Sequence, residues 1–416
     1  MGKLNVLILF LCFSFVKKSI SQDTLKLMSY NILNYASTNA NKNRYTDLRT
    51  ILTHVNPDVV LLCEIADAGA PKLLLDSSFN KAGIGTFTMS QFIDGTDTDN
   101  MLYYKTDKTN LYKQKQISTS LRDISQYRMY NVPATNDTAF YYLHMCHLKS
   151  GSMAPDEFQR QSEINAFCTN ISNIPVGANM FFAGDFNIYS SAEAAWILLT
   201  TSCSHVFKDP INLPGLWNNN SLYKSIHTQS TRTSANSGCC GGSTGGLDDR
   251  FDIIFVNNPV LTGSDHITYI ANSYETIGND GQHFNLSINE SPANTSVPTN
   301  VAQALFNMSD HLPVVMKFIV KESPVGLDEN KRIPKLKYWI NSSNNKSSLH
   351  LYSNVTGSFV VKLLDVTGKE VIQTELIINE INIENSIELQ GIQPGIYFIK
   401  INNGQFVIKD KLLVSP

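Results

Sequence analysis

Six times between residues 24 and 320, a short apolar run meets a carboxylate, an amide or a histidine. The polar points are Asn31 in Ser29-Tyr30-Asn31, Glu64 after Val59-Val60-Leu61-Leu62-Cys63, and His147 in His147-Leu148-Lys149-Ser150. They continue with Asp185 and Asn187 in Gly184-Asp185-Phe186-Asn187, Asp252 in Arg250-Phe251-Asp252, and Asp310 with His311 after Ser309. Runs this short and this apolar read as strands buried on both faces, in sheets covered by other layers. Strands are expected at 25–31, 59–65, 101–104, 139–147, 180–183, 251–256 and 311–320. Between the first two, residues 44–55 carry Leu48, Ile51, Leu52 and Val55 at helical spacing. That helix stops at Asn56-Pro57, because the residue before proline avoids helical geometry. A second helix is expected at 157–171, and the Gly- and Ser-rich stretch 234–249 reads as a loop. Strands alternating with helices predict an α/β unit.

The chain ends carry other information. Lys3, the apolar run 5–16 and the small residues of Ser19-Ile20-Ser21 form the pattern of a signal peptide over 1–21. That run is too short to span a bilayer, and no other stretch is long and apolar enough to do so. Residues 22–320 form the first large unit. A linker follows at 321–337, charged and containing Pro324 and Pro334. Residues 338–416 read as all-β, with turns at Thr367-Gly368 and Pro394-Gly395.

Cysteine and charge narrow the setting. Cys12 lies in the signal peptide, leaving Cys63, Cys146, Cys168, Cys203, Cys239 and Cys240. An exported chain permits disulfides. A Cys146–Cys168 bridge fits a strand followed by a helix, and Cys239 and Cys240 are expected to seek distant partners or stay reduced. Residues 22–320 hold 19 basic and 26 acidic side chains, a net charge of −7. Such a surface does not hold DNA by phosphate neutralisation alone, so a nucleic-acid substrate needs bridging cations or a local basic patch.

Each polar point alone has an ordinary explanation, since Asp and Asn favour turns and a single histidine is commonly structural. Together, and in this order, they resemble the endonuclease/exonuclease/phosphatase superfamily, which includes deoxyribonuclease-like nucleases, inositol phosphatases and sphingomyelinases. The resemblance covers about residues 24–320 and rests on Met28-Ser29-Tyr30-Asn31, residues 57–64, His147-Leu148-Lys149-Ser150, Gly184-Asp185-Phe186-Asn187, Arg250-Phe251-Asp252 and Ser309-Asp310-His311-Leu312-Pro313. It implies a four-layer α/β/β/α sandwich with the site at one end of the two sheets. Cys63 stands where the family commonly has Gln, and alternation along a strand turns it away from Glu64.

A phosphodiester is anionic and repels hydroxide, so its cleavage needs charge neutralisation, an oriented water and a proton for the leaving oxygen. The resemblance implies a Mg2+ ion, with Mn2+ and Ca2+ as alternatives, on Glu64 and Asn31, with Asp310 completing that site or a second one. It implies that Asp185 orients or deprotonates water and that Asn187 bonds a phosphate oxygen. His311, held by Asp252, and His147 take acid/base or phosphate-binding roles. Three further cleft candidates are Arg128, Asn100 and Tyr141. His144 lies at odd spacing from His147 and should face the core or a helix.

Residues 338–416 resemble the type IX secretion sorting domain of Bacteroidetes, on Val361–Val371 and Gly391–Ile401. The implied partner is that secretion machinery, and the implied destination is the cell surface or the medium. The resulting expectation is a secreted, monomeric endonuclease acting on DNA, with RNA as a variant substrate. A sphingomyelinase-like enzyme using Pro214-Gly215-Leu216-Trp217 at a membrane, an inositol-phosphate phosphatase and a non-catalytic surface-binding protein are the alternatives.

Overall fold

The computed structural model describes residues 22–38, 43–132, 139–235, 240–321, 336–343, 346–353, 356–379, 384–389, 391–403 and 407–414. The chain divides into two compact units, Met1–Val325 and Gly326–Pro416. The signal peptide read at 1–21 lies outside the described residues, as does most of the linker. Among the described residues, no helix is long and apolar enough to cross a membrane.

Among the described residues, the strands of the first unit are, in chain order, β1 (Gln22–Tyr35), β2 (Val59–Ile65), β3 (Phe87–Met89), β4 (Asp99–Lys105), β5 (Thr109–Ile117), β6 (Ile124–Asn131), β7 (Phe140–His147), β8 (Asn179–Asp185), β9 (Phe207–Lys208), β10 (Asp252–Asn257), β11 (Ile267–Tyr269), β12 (Glu275–Thr276) and β13 (Val314–Lys321). Its helices are α1 (Tyr45–Val55), α2 (Ala70–Ser77), α3 (Ala154–Ile171), α4 (Ala194–Ile197), α5 (Asn258–Thr262) and α6 (Thr299–Met308). One sheet has the order β11-β13-β1-β2-β4-β3, with β12 on β13. The other has the order β5-β6-β7-β8-β10-β9.

Three apolar interfaces separate four layers. Val60 and Leu62 pack with Leu48, Ile51 and Leu52 of α1 and Leu305 of α6. Leu25, Leu27, Val59 and Leu61 of one sheet meet Leu143, Met145, Phe181 and Ile254 of the other. Phe182, Met180 and Phe255 pack under Ile164, Phe167 and Ile171 of α3. Side chains on a strand alternate between faces, so β1, β2 and β8 each serve two of these interfaces. The expected α/β/β/α sandwich is therefore the observed architecture.

The Cys146–Cys168 bridge, one of the pairings the sequence left open, is not the one formed. Cys168 is bonded to Cys203, and Cys146 is a free, buried thiol. Both cysteines share the interface with α3, but Cys203 follows the turn packed against that helix and brings its sulfur to Cys168. Cys240 is also disulfide-bonded, and Cys239 lies outside the described residues.

The second unit is all-β. Strands β14 (Leu336–Ser343), β15 (Lys346–Ser353) and β18 (Glu384–Leu389) form one sheet. Strands β16 (Gly357–Leu364), β17 (Glu370–Ile378), β19 (Gly395–Asn402) and β20 (Val407–Val414) form the other, in the order β17-β16-β19-β20. Leu349, Leu351, Phe359, Val361, Leu363, Ile399 and Ile401 build the core. The linker boundary at 337 shifts, because β14 already begins at Leu336.

Candidate active site

The inner faces of the two sheets change from apolar to polar at one end. On β1 the series Leu25, Leu27, Ser29 ends at Asn31; on β7 Tyr141, Leu143 and Met145 end at His147; on β8 Phe181 and Ala183 end at Asp185. Asp252 begins the same face of β10. Pairing sets them side by side, with His147 opposite Asp185 in the parallel β7–β8 pair and Asp252 opposite Asp185 in the antiparallel β8–β10 pair. The period that fills the core thus also delivers the polar cluster.

Glu64 arrives by a different route. Cys63 faces the inter-sheet core, so strict alternation would send Glu64 towards the helices. Instead Glu64 has φ 63°, and the pairing of β2 with β1 and β4 shifts register around it. This bulge turns the carboxylate into the cluster.

Asn31 sits at the centre. Its Nδ2 donates to Glu64 Oε1 at 2.8 Å and to Asp185 Oδ2 at 3.0 Å, and lies 3.4 Å from His311 Nε2. Asn34 N donates to Glu64 Oε2 at 2.8 Å. His147 Nε2 lies 3.7 Å from Glu64 Oε1 and 3.6 Å from Asp185 Oδ2. His311 Nδ1 is 2.7 Å from Asp252 Oδ2, which fixes the ring, while its Nε2 faces Asp185 Oδ2 at 3.6 Å. Asn187 N donates to Asp185 Oδ1 at 3.0 Å, and Asn187 Nδ2 donates to Leu148 O at 3.2 Å.

Glu64, His147, Asp185, Asn187 and His311 line a cavity of about 390 Å³, together with Arg122, Gln229, Ser243, Tyr189 and Asp310. Burial pushes the Glu64 and Asp185 carboxyls above their ordinary values, and their mutual proximity adds to it for Asp185. Burial lowers His147 to about 4. Burial opposes the charge on His311 too, but Asp252, Asp185 and Asp310 outweigh it and hold its pKa well above the usual range.

Glu64, His147 and Asp185 bring potential ligand atoms within 4.8 Å of one another. Neither buried carboxylate has a lysine or arginine ion-pair partner among the described residues, so the pair fits a divalent cation, which supplies the missing charge. Of the expected ligands Asn31, Glu64 and Asp310, Glu64 is in this group, Asn31 donates to it, and Asp310 lines the same cavity. One oxygen of Asp310, Oδ1, is buried with no partner among the described residues, as is Oδ1 of Asp252.

The three further cleft candidates are corrected. Antiparallel pairing puts Arg128 beside Tyr142, well down the sheet from His147, with its guanidinium over the rings of Phe140, Tyr112 and Tyr142. Tyr141 is buried between the sheets, its hydroxyl 2.7 Å from that of Thr109. Asn100 is a tie beneath the site, donating to Asp123 O and Met145 O. His144 packs edge-on against Phe167 under α3, as its spacing predicted.

The residue that takes the place expected of Arg128 is Arg122. It lines the cavity, its Nε donates to Asp97 Oδ2 at 2.8 Å, and its NH1 lies 3.4 Å from the carbonyls of His147 and Leu148. The signal was present: the β6–β7 pairing that sets Ser125 opposite Met145 brings the start of β6 to the end of β7. Gln229 and Ser243 come from irregular segments, and no periodicity marked them.

Residues 341–415 match the secretion system C-terminal sorting domain, which marks a chain for type IX secretion. No curated protein matches. Similar solved structures include D. rerio TDP2 complexed with single strand DNA product, at 17% identity and a TM-score of 0.46, covering 71% of this chain and 98% of that one. The human nocturnin catalytic domain is 14% identical with a TM-score of 0.43, covering 71% and 97%. An endonuclease/exonuclease/phosphatase family protein from Bacteroides thetaiotaomicron is 13% identical with a TM-score of 0.45, covering 75% and 100%. Residues 28–266, more than half of the chain, match the profile of the endonuclease/exonuclease/phosphatase family, and the chain belongs to that family of phosphate-ester hydrolases.

Proposed function

We propose that this protein is an exported, divalent-metal-dependent phosphodiesterase whose main substrate is extracellular DNA. The observation that carries the reading is the meeting of Glu64, Asn31, His147 and Asp185 with the His311–Asp252 pair at one end of the sandwich. Glu64 would hold the ion, with Asn31 beside it. Bound there, a cation such as Mg2+ or Mn2+ neutralises phosphate charge and stabilises the leaving oxygen. Asp185 Oδ2 faces the space between the two histidines and is placed to orient the attacking water and accept its proton. A carboxyl whose pKa is raised by burial is a better base than an ordinary one. His311, fixed through Nδ1 by Asp252, presents Nε2 to a phosphate oxygen. His147 and Asn187 face the phosphate from the β7 and β8 ends.

Arg122 supplies the positive charge that an acidic catalytic unit needs beside its cleft. Replacing Arg122 with Ala is expected to lower kcat/KM about 10–100-fold, the effect of a lost charged hydrogen bond. Arg128→Ala, by contrast, should leave kcat/KM unchanged. Equal effects of the two variants on phosphodiester kinetics would reject the assignment of Arg122.

The signal peptide at 1–21, the linker that starts at 321 and the C-terminal domain complete the proposal: export, then release or retention at the cell surface as a monomer. A second reading, a sphingomyelinase-like lipid phosphodiesterase, has one observation in its favour. Leu213, Leu216 and Leu222 are 44%, 60% and 87% exposed, and Leu216 pairs through its backbone with Ser190, next to Tyr189 of the cavity wall. Trp217, expected at the membrane, is instead buried against Trp196 and anchors this loop. Incubating the purified chain with plasmid DNA, RNA and sphingomyelin vesicles in Mg2+ separates the readings. Loss of plasmid is the expected result; sphingomyelin turnover with intact plasmid would replace the first reading with the second.

A further inference from the structure

Gln229 reaches into the site from the irregular segment before β10 and touches both members of the Asp310-His311 pair. Its Nε2 lies 3.2 Å from Asp310 Oδ2 and 2.6 Å from His311 Nε2. A carboxylate only accepts hydrogen bonds, so the amide atom beside Asp310 is the nitrogen. A second donor fixes the same oxygen, since Ser243 N donates to Asp310 Oδ2 at 2.6 Å. The approach of Ser243 depends on Gly242, which has φ +92°; a Cβ there would lie 2.9 Å from Asp310 Cγ and 2.9 Å from Leu33 Cδ2. Ser230 Oγ holds this segment by donating to Ser243 O at 2.7 Å, and Arg232 reaches Gly241 O. The result is an asymmetric carboxylate: Oδ2 of Asp310 is committed to two donors, and Oδ1 is left buried and unpartnered among the described residues.

We propose that Gln229 is a positioning residue for catalysis, its carboxamide donating to Asp310 so that Oδ1 stays free in the site and its terminal nitrogen confining the imidazole of His311 on the side away from Asp252. This rests on the phosphodiesterase reading of the same site. The ring of His311 is then bonded to Asp252 at Nδ1 and bordered by Gln229 beside Nε2, while it still lines the cavity. Misplacement of a reacting group by an ångström costs rate far more than binding. The main chain of Gln229 is separately tied, accepting at its carbonyl from the amides of Asp248 and Asp249 at 2.8 Å each, so a side-chain change leaves the segment in place.

The test uses Gln229→Ala and Gln229→Glu in the full chain, with bis(4-nitrophenyl) phosphate as substrate and Mg2+ present. An ionised Glu fills the same space but cannot donate, and sets a second carboxylate against Asp310. We expect Gln229→Ala to lower kcat on the order of 10–100-fold with KM changed by less than about threefold. Gln229→Glu should be at least as impaired. The 15N resonances of the His311 ring, identified by their loss in His311→Gln, should move in Gln229→Ala. Wild-type kcat in Gln229→Glu, or unmoved His311 resonances in Gln229→Ala, would overturn the proposal. If wild-type protein cleaves no phosphodiester, the functional reading fails, and the His311 resonances still decide whether Gln229 positions the ring.

Discussion

His311→Ala is expected to fold as the wild type does and to lose phosphodiester hydrolysis by about 10²–10⁴-fold, the range for a lost acid/base group. The ring is buried, its Nδ1 is bound to Asp252 and its Nε2 faces Asp185, so its orientation is set before substrate arrives. Its surroundings are carboxylates, and removing it leaves Asp252, already with one unpartnered oxygen among the described residues, without its main contact. A companion change separates orientation from chemistry. Asp252→Asn keeps the ring space filled but cannot accept from Nδ1–H through its amide nitrogen, so activity should fall in the same direction and by less. Circular dichroism and thermal melting check the fold, and initial rates check the activity. A His311→Ala enzyme within a few-fold of wild type would remove His311 from the mechanism.

The second large effect is expected at Glu64. Its carboxylate is buried, sits on a left-handed bulge and is pushed above the usual carboxyl range by burial, with Asp310 adding to the rise. A group so placed is a burden to the metal-free fold and a benefit only when a cation is present. Glu64→Gln should therefore melt at the same or a higher temperature than wild type in chelator. It should lose the rise in melting temperature that Mg2+ or Mn2+ gives the wild type, because a ligand stabilises only the state that binds it. Its hydrolysis should fall by at least about 10²-fold, as expected when several kcal/mol of charge stabilisation is removed. Unchanged metal-induced stabilisation in Glu64→Gln, read by calorimetric titration or melting, would place the ion elsewhere.

Much of the site was legible because it is built by the same alternation as the core. Asn31, His147, Asp185 and Asp252 share parity with the apolar residues that face the other sheet, so reading the strands also reads the cluster. Glu64 stands out by its motif, although its strand period points it the wrong way; only the backbone at φ 63° explains its position. Arg128 reads as nearer the site than Arg122 until strand register is known, and register needs the pairing partner. Cys203, Gln229 and Ser243 depend on loop paths that no local pattern encodes. The C-terminal unit was legible in its hairpin turns and alternation, which recur as burial of Phe359, Val361 and Leu363 on one face of β16.

If a divalent ion held at Glu64, beside Asn31, is required for phosphate-ester cleavage, its removal must stop the reaction and its return must restore it. The direct measurement is the rate of bis(4-nitrophenyl) phosphate and plasmid hydrolysis by chelator-dialysed protein, before and after titration with Mg2+ or Mn2+. No turnover in chelator and saturable recovery with the added metal are the expected results. Full turnover by metal-free protein, or none at any metal concentration, would contradict the requirement.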